Sequence, residues 1–182
     1  KQELGDKKGM GPSYGNIGVV YDDQGNYEKA LEYNLKSLAI YKEIEDKRGT
    51  AICYNNIGII YQNLGDFEKA LDYYSKSLAI NEEIDDKKGT GASYNNIGII
   101  YENQGNYAKA LEYYLKSLEI KEELGDKIGM GDSYNNIGII YQNQSNYEKA
   151  LKFYSKSLGI QKEIGDKIGM GDSYNNIGII YQ

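Results

Sequence analysis

Asparagine side chains recur in pairs along this chain, and they are its residues best suited to binding chemistry. The doublets Asn55–Asn56, Asn95–Asn96 and Asn135–Asn136 each follow a tyrosine and precede Ile-Gly. An asparagine amide has donors and an acceptor, so one side chain can hold both the N–H and the C=O of a peptide backbone. Adjacent asparagines are unfavourable inside a helix, which favours a binding role. The alternative, amides that only keep an exposed surface soluble, stays open.

Residues for catalysis or metal binding are scarce. The chain contains no histidine, so no histidine-based metal site, proton shuttle or catalytic dyad can form. Cys53 is the single cysteine; we interpret it as a small apolar filler near a helix start, compatible with a reducing compartment. The glycine-rich stretches contain no GxxxxGK[ST] phosphate loop. We therefore expect no enzyme activity, no metal and no cofactor, with catalysis as the least favoured of three functional hypotheses.

The charge and the hydropathy of the chain exclude two classes of binding partner. The formal net charge of −6 disfavours a nucleic-acid backbone as partner. No apolar run reaches the length that a bilayer span requires. The sequence predicts a cytoplasmic protein with no nucleic-acid or membrane partner.

A repeat of 40 residues organises the chain. Tyr14, Tyr54, Tyr94, Tyr134 and Tyr174 open nearly the same phrase, SYGNIGVVY, CYNNIGIIY and then SYNNIGIIY. A period of this length is typical of stacked supersecondary units. We expect a single array over 1–182, with a stub at 1–9, repeats at about 10–49, 50–89, 90–129 and 130–169, and a half repeat at 170–182, as an excerpt of a longer protein.

Each repeat is predicted to be two helices, A and B. The helix A stripe of the second repeat has the spacing i, i+3, i+4 and i+7: Tyr54, Ile57, Gly58 and Tyr61. After a break, Asp66 can cap helix B, whose stripe is Phe67, Ala70, Leu71, Tyr74 and Leu78. Most of the 20 tyrosines should pack in these stripes.

Two residues allow specific predictions about where the helices approach each other and where the first one starts. Gly58, inside helix A, indicates a close approach to helix B opposite the small Ala70. Pro12 is tolerated only in the first turn of a helix, so the first helix A is predicted to start near Gly11. The other helices A are expected to begin around 47–50 and equivalent positions.

The pattern Tyr54-x2-Ile57-Gly58-x2-Tyr61, then Ala70-x3-Tyr74, resembles the tetratricopeptide repeat. The long repeats are similar to those of Pins-type adaptors, kinesin light chains and bacterial signalling arrays. Tyrosine replaces the usual first tryptophan, and Glu82 replaces the proline that normally ends helix B, so helix B should run to about Ile84. The resemblance implies an all-α fold, an α-solenoid in which antiparallel helix pairs form a right-handed superhelix.

The resemblance also implies a peptide-binding site on the concave side of helix A. By this likeness five asparagines hold a ligand's main chain: Asn16, Asn56, Asn96, Asn136 and Asn176. Neighbouring amides on the same wall are further candidates: Asn55, Asn95, Asn135, Gln62, Asn63, Asn103 and Asn143. No lysine or arginine stands at the positions where chaperone-type members of the family hold a terminal carboxylate, so a neutral or basic peptide is favoured. Acidic residues lie on or near the wall instead: Asp22, Asp23, Glu102, Asp132 and Asp172.

The leading hypothesis is therefore a non-catalytic protein–protein interaction scaffold that binds an extended or helical segment in a concave groove. The alternative is a structural spacer or self-associating rod. Its copies would stack end to end, because the terminal helices are expected to expose apolar surface.

Overall fold

The computed structural model describes the backbone of residues 2–181 and the side chains of residues 7–181. All regular structure in that range is helical, which confirms the predicted all-α class. The helices A are α1 (Gln2–Asp23), α3 (Lys47–Asn63), α5 (Lys87–Asn103), α7 (Lys127–Asn143) and α9 (Lys167–Ile180). The helices B are α2 (Tyr27–Glu43), α4 (Phe67–Glu83), α6 (Tyr107–Leu124) and α8 (Tyr147–Ile164).

The chain divides into two compact units, residues 1–93 and residues 94–182, here the N-terminal and C-terminal units. In the N-terminal unit α1 packs on α2, α2 on α3 and α3 on α4. In the C-terminal unit α6 packs on α7, α7 on α8 and α8 on α9. Each unit is thus a stack of antiparallel helical hairpins, as expected for α-solenoid repeats.

Helix B starts at the predicted caps. The Asp66 carboxylate accepts from the Lys69 backbone N–H at 3.1 Å, and Asn26, Asn106 and Asn146 make the equivalent bond. Helix B then continues to Glu83 with Ile84 as its C-cap, so the missing proline does lengthen it. Helix A begins just after a second aspartate, for example Asp46, which accepts from the Gly49 N–H at 2.9 Å.

The predicted start of the first helix near Gly11 is wrong. Helix α1 is continuous from Gln2 to Asp23 and contains Pro12 in its interior. Contacts with α2 hold the turns on both sides: Lys7 forms an ion pair with Glu43 at 2.7 Å, and the Ser37 hydroxyl donates to the Gly11 carbonyl at 2.7 Å. These tertiary contacts outweigh the local cost of the proline, about 3 kcal/mol.

Gly58 allows a close helix approach, as predicted, and the atoms nearest to it belong to the Tyr74 ring. At the equivalent Gly18, the Ala30 carbonyl of helix B would lie 3.3 Å from an added Cβ. A Cβ atom on Gly58 would lie 2.6 Å from the ring of Tyr74 in helix B. Gly98 and Gly138 have the same relation to Tyr114 and Tyr154. Because these tyrosine rings are completely buried, the glycine provides the space for the largest side chain of the core.

Tyrosines of helix A and helix B pack against one another within each hairpin. Tyr73 of helix B stacks on Tyr61 at a centroid distance of 5.5 Å and tilts against Tyr54 at 5.9 Å. Equivalent triads recur in the other hairpins, with Phe153 as the helix B member in the last one. Lysines of helix B lie over the rings, with Lys76 Nζ 4.8 Å from the Tyr73 centroid and Lys69 Nζ 5.0 Å from that of Tyr61.

Cys53 is buried in the N-terminal unit, in agreement with its interpretation as a filler. Only 1% of its surface is exposed, and its thiol donates to the Ser37 hydroxyl at 3.2 Å. Burial raises the pKa of this thiol, so the nucleophilic thiolate is disfavoured.

Candidate functional site

The amide face, defined as the side of each helix A that carries the asparagines, is hydrogen-bonded along its length in the C-terminal unit. The Nδ2 of Asn136 donates to the Oδ1 of Asn95 at 3.4 Å, and the Nδ2 of Asn176 donates to the Oδ1 of Asn135 at 2.9 Å. Each of these asparagine–asparagine hydrogen bonds, here called a rung, joins one helix A to the next. A rung uses one donor and one acceptor, so the Asn95 amino group and the Asn136 carbonyl retain capacity for a ligand.

The predicted site residues divide into two groups by exposure. Half-buried members are Asn55, Asn56, Gln62, Asn95, Asn96, Asn135, Asn136 and Asn176. Exposed members are Asn16, Asn63, Asn103 and Asn143. Isoleucines of the same face, Ile59, Ile99 and Ile139, are half-buried beside them and supply apolar contact.

Gln62 belongs to the helix packing as well as to the face. The Tyr74 hydroxyl donates to its Oε1 at 2.8 Å, and Tyr154 donates to Gln142 at 2.6 Å in the same way. Burial raises the pKa of Tyr74 and raises that of Tyr154 to about 12, so both phenols stay protonated donors. The sequence offered no signal for this bond beyond the shared spacing of 12 residues.

A pocket that sequence reasoning missed opens on the amide face of the N-terminal unit. Its volume is about 330 Å³. Its lining is Val19, Asp22, Asp23, Asn34, Asn56, Ile59 and Ile60. The available signal was that the first repeat differs from the others at several of these positions, notably Asn34 where the others have tyrosine.

Charges near the amide face are mostly acidic. Asp22 accepts from the Asn63 amide at 3.2 Å. Asp132 is exposed, but partial desolvation raises its pKa, an effect that the positive charge of Lys121 opposes. Lys121 itself donates to the Ser133 hydroxyl at 2.8 Å between α6 and α7, and burial lowers its pKa.

Residues 7–181 contain no cluster of three or more histidine, cysteine, aspartate or glutamate side chains arranged to hold a metal ion. Among the helices described, none combines the length and apolar character of a membrane span.

Three solved structures share this arrangement of helices. Aspartyl phosphate phosphatase F from Bacillus subtilis is similar at 19% identity and a TM-score of 0.89, over 93% of this chain and 45% of that one. BtubC (BKLC) from P. vanneervenii is similar at 23% identity and a TM-score of 0.78, over 88% and 66%. A putative kinesin light chain with nearly identical TPR-like repeats from Podosopora anserina is similar at 16% identity and a TM-score of 0.76, over 94% of this chain and 85% of that one.

The chain thus spans 45% and 66% of the length of the first two proteins, and these likenesses concern the fold. No curated protein matches the sequence. A family model described as tetratricopeptide repeat matches residues 9–83, 49–123 and 129–182. The chain therefore belongs to the tetratricopeptide repeat family.

Proposed function

We propose that this chain is a non-catalytic scaffold that binds an extended or helical segment of a partner protein along its amide face. The observation that carries the proposal is the row of asparagine rungs, in which amides from successive helices A are fixed relative to one another. A row of rigid donors and acceptors suits a polypeptide main chain, which presents N–H and C=O groups at regular intervals.

Preorganisation strengthens this proposal. An amide held by its neighbour loses less side-chain freedom on binding than a freely rotating one. The Asn136 carbonyl and the Asn95 amino group lie at the two ends of one rung. A peptide N–H can therefore donate to the Asn136 carbonyl, and a peptide C=O can accept from the Asn95 amino group. Half-buried Ile99 and Ile139 beside the rung would contact its apolar side chains.

The charge of the protein favours a neutral or basic segment. The net charge is −6, and Asp22 and Asp23 lie at the pocket on the amide face. Like charges would repel an acidic segment, whereas a basic one would be attracted and its association accelerated.

Absence of catalysis is part of the same proposal. One of the similar structures is named as a phosphatase, but at 19% identity that likeness extends only to the fold. This chain has no histidine, and the one cysteine is buried with a raised pKa. A buried unpaired thiol is compatible with a reducing compartment, and we propose the cytoplasm as the location.

A peptide array tests the proposal. We expect the wild-type chain to capture a set of neutral or basic peptides, and the double variant Asn96→Ala plus Asn136→Ala to lose most of that capture. The matched control is Ser75→Ala plus Ser155→Ala, which removes two exposed polar groups from the outer face of helix B. Circular dichroism must show equal helicity for all three proteins. If the amide variant captured as much peptide as the wild-type chain, the asparagines would not be part of the binding site.

Self-association is a second candidate function. In α9, Tyr174 is 51% exposed and Ile179 is 47% exposed, whereas the equivalent Tyr134 and Ile139 of α7 are half-buried. A second copy that stacked on α9 would cover these side chains. Light scattering should then give a mass that increases with concentration, and Tyr174→Lys should reduce that increase. A constant monomer mass would contradict stacking.

A further inference from the structure

The pocket on the N-terminal unit exists because the first repeat departs from the others at adjoining positions. Asn34 stands where the other repeats have a tyrosine, Tyr74, Tyr114 and Tyr154. Asp22 stands where they have Gln62, Glu102 and Gln142. Asp23 and Gly15 stand where they have asparagines. Each departure changes what lines the pocket or what its lining residues contact.

Asn34 is buried but incompletely hydrogen-bonded. Only 1% of its surface is exposed, and its Nδ2 donates to the Ala30 carbonyl at 2.9 Å. Its Oδ1 has no hydrogen-bond partner among the described residues. The tyrosines at this position fill their space with a ring and donate from their hydroxyl across to helix A. The smaller asparagine leaves that space open and replaces a donor with an unsatisfied acceptor.

Asp22 lacks the partner that its equivalents have. Gln62 and Glu102 each accept a hydroxyl hydrogen bond from a buried tyrosine. No tyrosine occupies position 34, so the donor that Asp22 has in the described chain is the Asn63 amide, at 3.2 and 3.4 Å from its two oxygens. A carboxylate has about four acceptor sites, which leaves most of its capacity for a ligand.

Asn56 also lacks a rung partner. The residue that would bond to it in the preceding helix A is Gly15, which has no side chain. Asn56 is half-buried, lines the pocket and makes no hydrogen bond within the described part of the chain. The pocket therefore collects unused acceptors on Asp22, Asn34 and Asn56, with Asp23 at its edge.

We infer that this pocket binds the basic side chain, lysine or arginine, of a partner segment held on the amide face. The inference rests on the proposed function and deepens it. A cationic head carries several N–H donors and no acceptor, which matches a lining whose unused groups are mainly acceptors. The aliphatic stem of such a side chain would contact Val19, Ile59 and Ile60. A calcium ion would need six to eight oxygen ligands in a cage, more than this lining offers.

Titration with single capped amino acids tests the pocket independently of any peptide. N-acetyl-arginine methylamide and N-acetyl-lysine methylamide are added to the ¹⁵N-labelled chain, with the citrulline analogue as the neutral isostere. We expect saturable shifts in the Asn34 and Asn56 side-chain amide signals with one or both basic probes, and none with citrulline. Shifts of equal size with citrulline would overturn the inference.

Two variants localise the binding. Asp22→Asn should weaken binding of the basic probes at least about tenfold, because it removes the charge from a hydrogen bond to a cation. Asn34→Tyr should abolish binding, because it installs the residue of the other repeats and fills the pocket. The control Asp72→Asn removes a carboxylate from the outer face of helix B and should leave binding unchanged. Unchanged binding in Asp22→Asn would contradict the pocket.

The outcomes separate the two proposals. Loss of peptide capture in Asn96→Ala plus Asn136→Ala, together with no binding of the basic probes, would support the scaffold function and contradict the inference about the pocket. Probe binding with no peptide captured by the wild-type chain would contradict the scaffold and leave only a cation site.

Discussion

The Tyr74 hydroxyl donates a 2.8 Å hydrogen bond to the Oε1 of Gln62, and so joins helix B to helix A of the same hairpin. The ring behind that hydroxyl is completely buried and lies against Gly58. One side chain thus supplies both a large core volume and one of the polar links of the hairpin, beside the Ser77 hydroxyl that donates to the Ala51 carbonyl. Where Asn34 replaces it in the first repeat, both are lost and a pocket appears.

Removing the Tyr74 hydroxyl should destabilise the protein. Tyr74→Phe keeps the ring but leaves the Gln62 carbonyl without its donor, so we expect the free energy of unfolding to fall by about 0.5–1.5 kcal/mol. Urea unfolding followed by circular dichroism measures the change. Tyr61→Phe is the matched control, because the Tyr61 ring is only half-buried and stacked, and it should have little effect. Equal losses in both would show that the hydrogen bond is not the cause.

Adding a methyl group at Gly58 should be unfavourable despite the better helix propensity of alanine. Its Cβ would lie 2.6 Å from ring atoms of Tyr74, and overpacking of this kind costs about 1–3 kcal/mol. Gly159→Ala is the control, since Gly159 is exposed and a Cβ there meets nothing within 4 Å. The free energy of unfolding of that variant should increase by about 0.5–1 kcal/mol. Melting temperatures should therefore shift in opposite directions, and a rise with Gly58→Ala would refute the close approach.

Glu45 is in a conformation that favours glycine. Its φ is 57°, at the repeat position where Gly125 has a φ of 64° and Gly165 of 73°. Relief of the left-handed strain by Glu45→Gly should raise the free energy of unfolding by about 1 kcal/mol, less the greater chain entropy of glycine when unfolded. Gly125→Ala should have the opposite effect. Both are measured by thermal unfolding, and a decrease with Glu45→Gly would contradict the assignment.

Two aspartates should affect the pH dependence of stability in opposite ways. Hydrogen bonding from the Gly89 N–H, supported by Arg48, holds the pKa of Asp86 below its ordinary value of 3.8. A lowered pKa means that Asp86 stabilises the fold above its unfolded-state pKa, and this contribution is lost as the pH falls through the folded-state pKa. Asp86→Asn should therefore flatten the acid decline of stability below about pH 4.

Asp132 provides the comparison. Partial desolvation raises its pKa although the side chain is largely exposed, so the stability of the fold decreases as the pH rises through the folded-state pKa of Asp132. Asp132→Asn should increase the free energy of unfolding at neutral pH, where Asp86→Asn should decrease it. Urea titrations over a pH series measure both variants. The same sign of change at neutral pH for the two would contradict this account.

Much of the fold could be predicted because its signals are local. Asp66 caps α4 through an N–H only three residues away, and the stripe from Tyr54 to Tyr61 spans two helical turns. The position of Pro12 could not be predicted in this way. Its local preference for a helix start was overridden by contacts with α2 that join residues 26 and 36 positions apart in the chain.

The candidate site was predicted less completely. The asparagines were identified by their period, but not that Asn136 bonds to Asn95, 41 residues earlier. Whether these amides bind a peptide remains a prediction. The pocket beside Asn34 could not be predicted from the asparagine row of the helices A, because Asn34 lies on helix B.

By itself the sequence determined the repeat, the two helices of each hairpin, their caps and the family, because each depends on spacing within a few turns or on self-similarity. Only the tertiary structure decided which side chains meet: the Tyr74 ring lies against Gly58, and the Asn34 Oδ1 has no hydrogen-bond partner in the pocket that Asp22 also lines. These pairings depend on the rotation of one helix against another, and side-chain shape and hydrogen-bond geometry set that rotation only once the helices pack together.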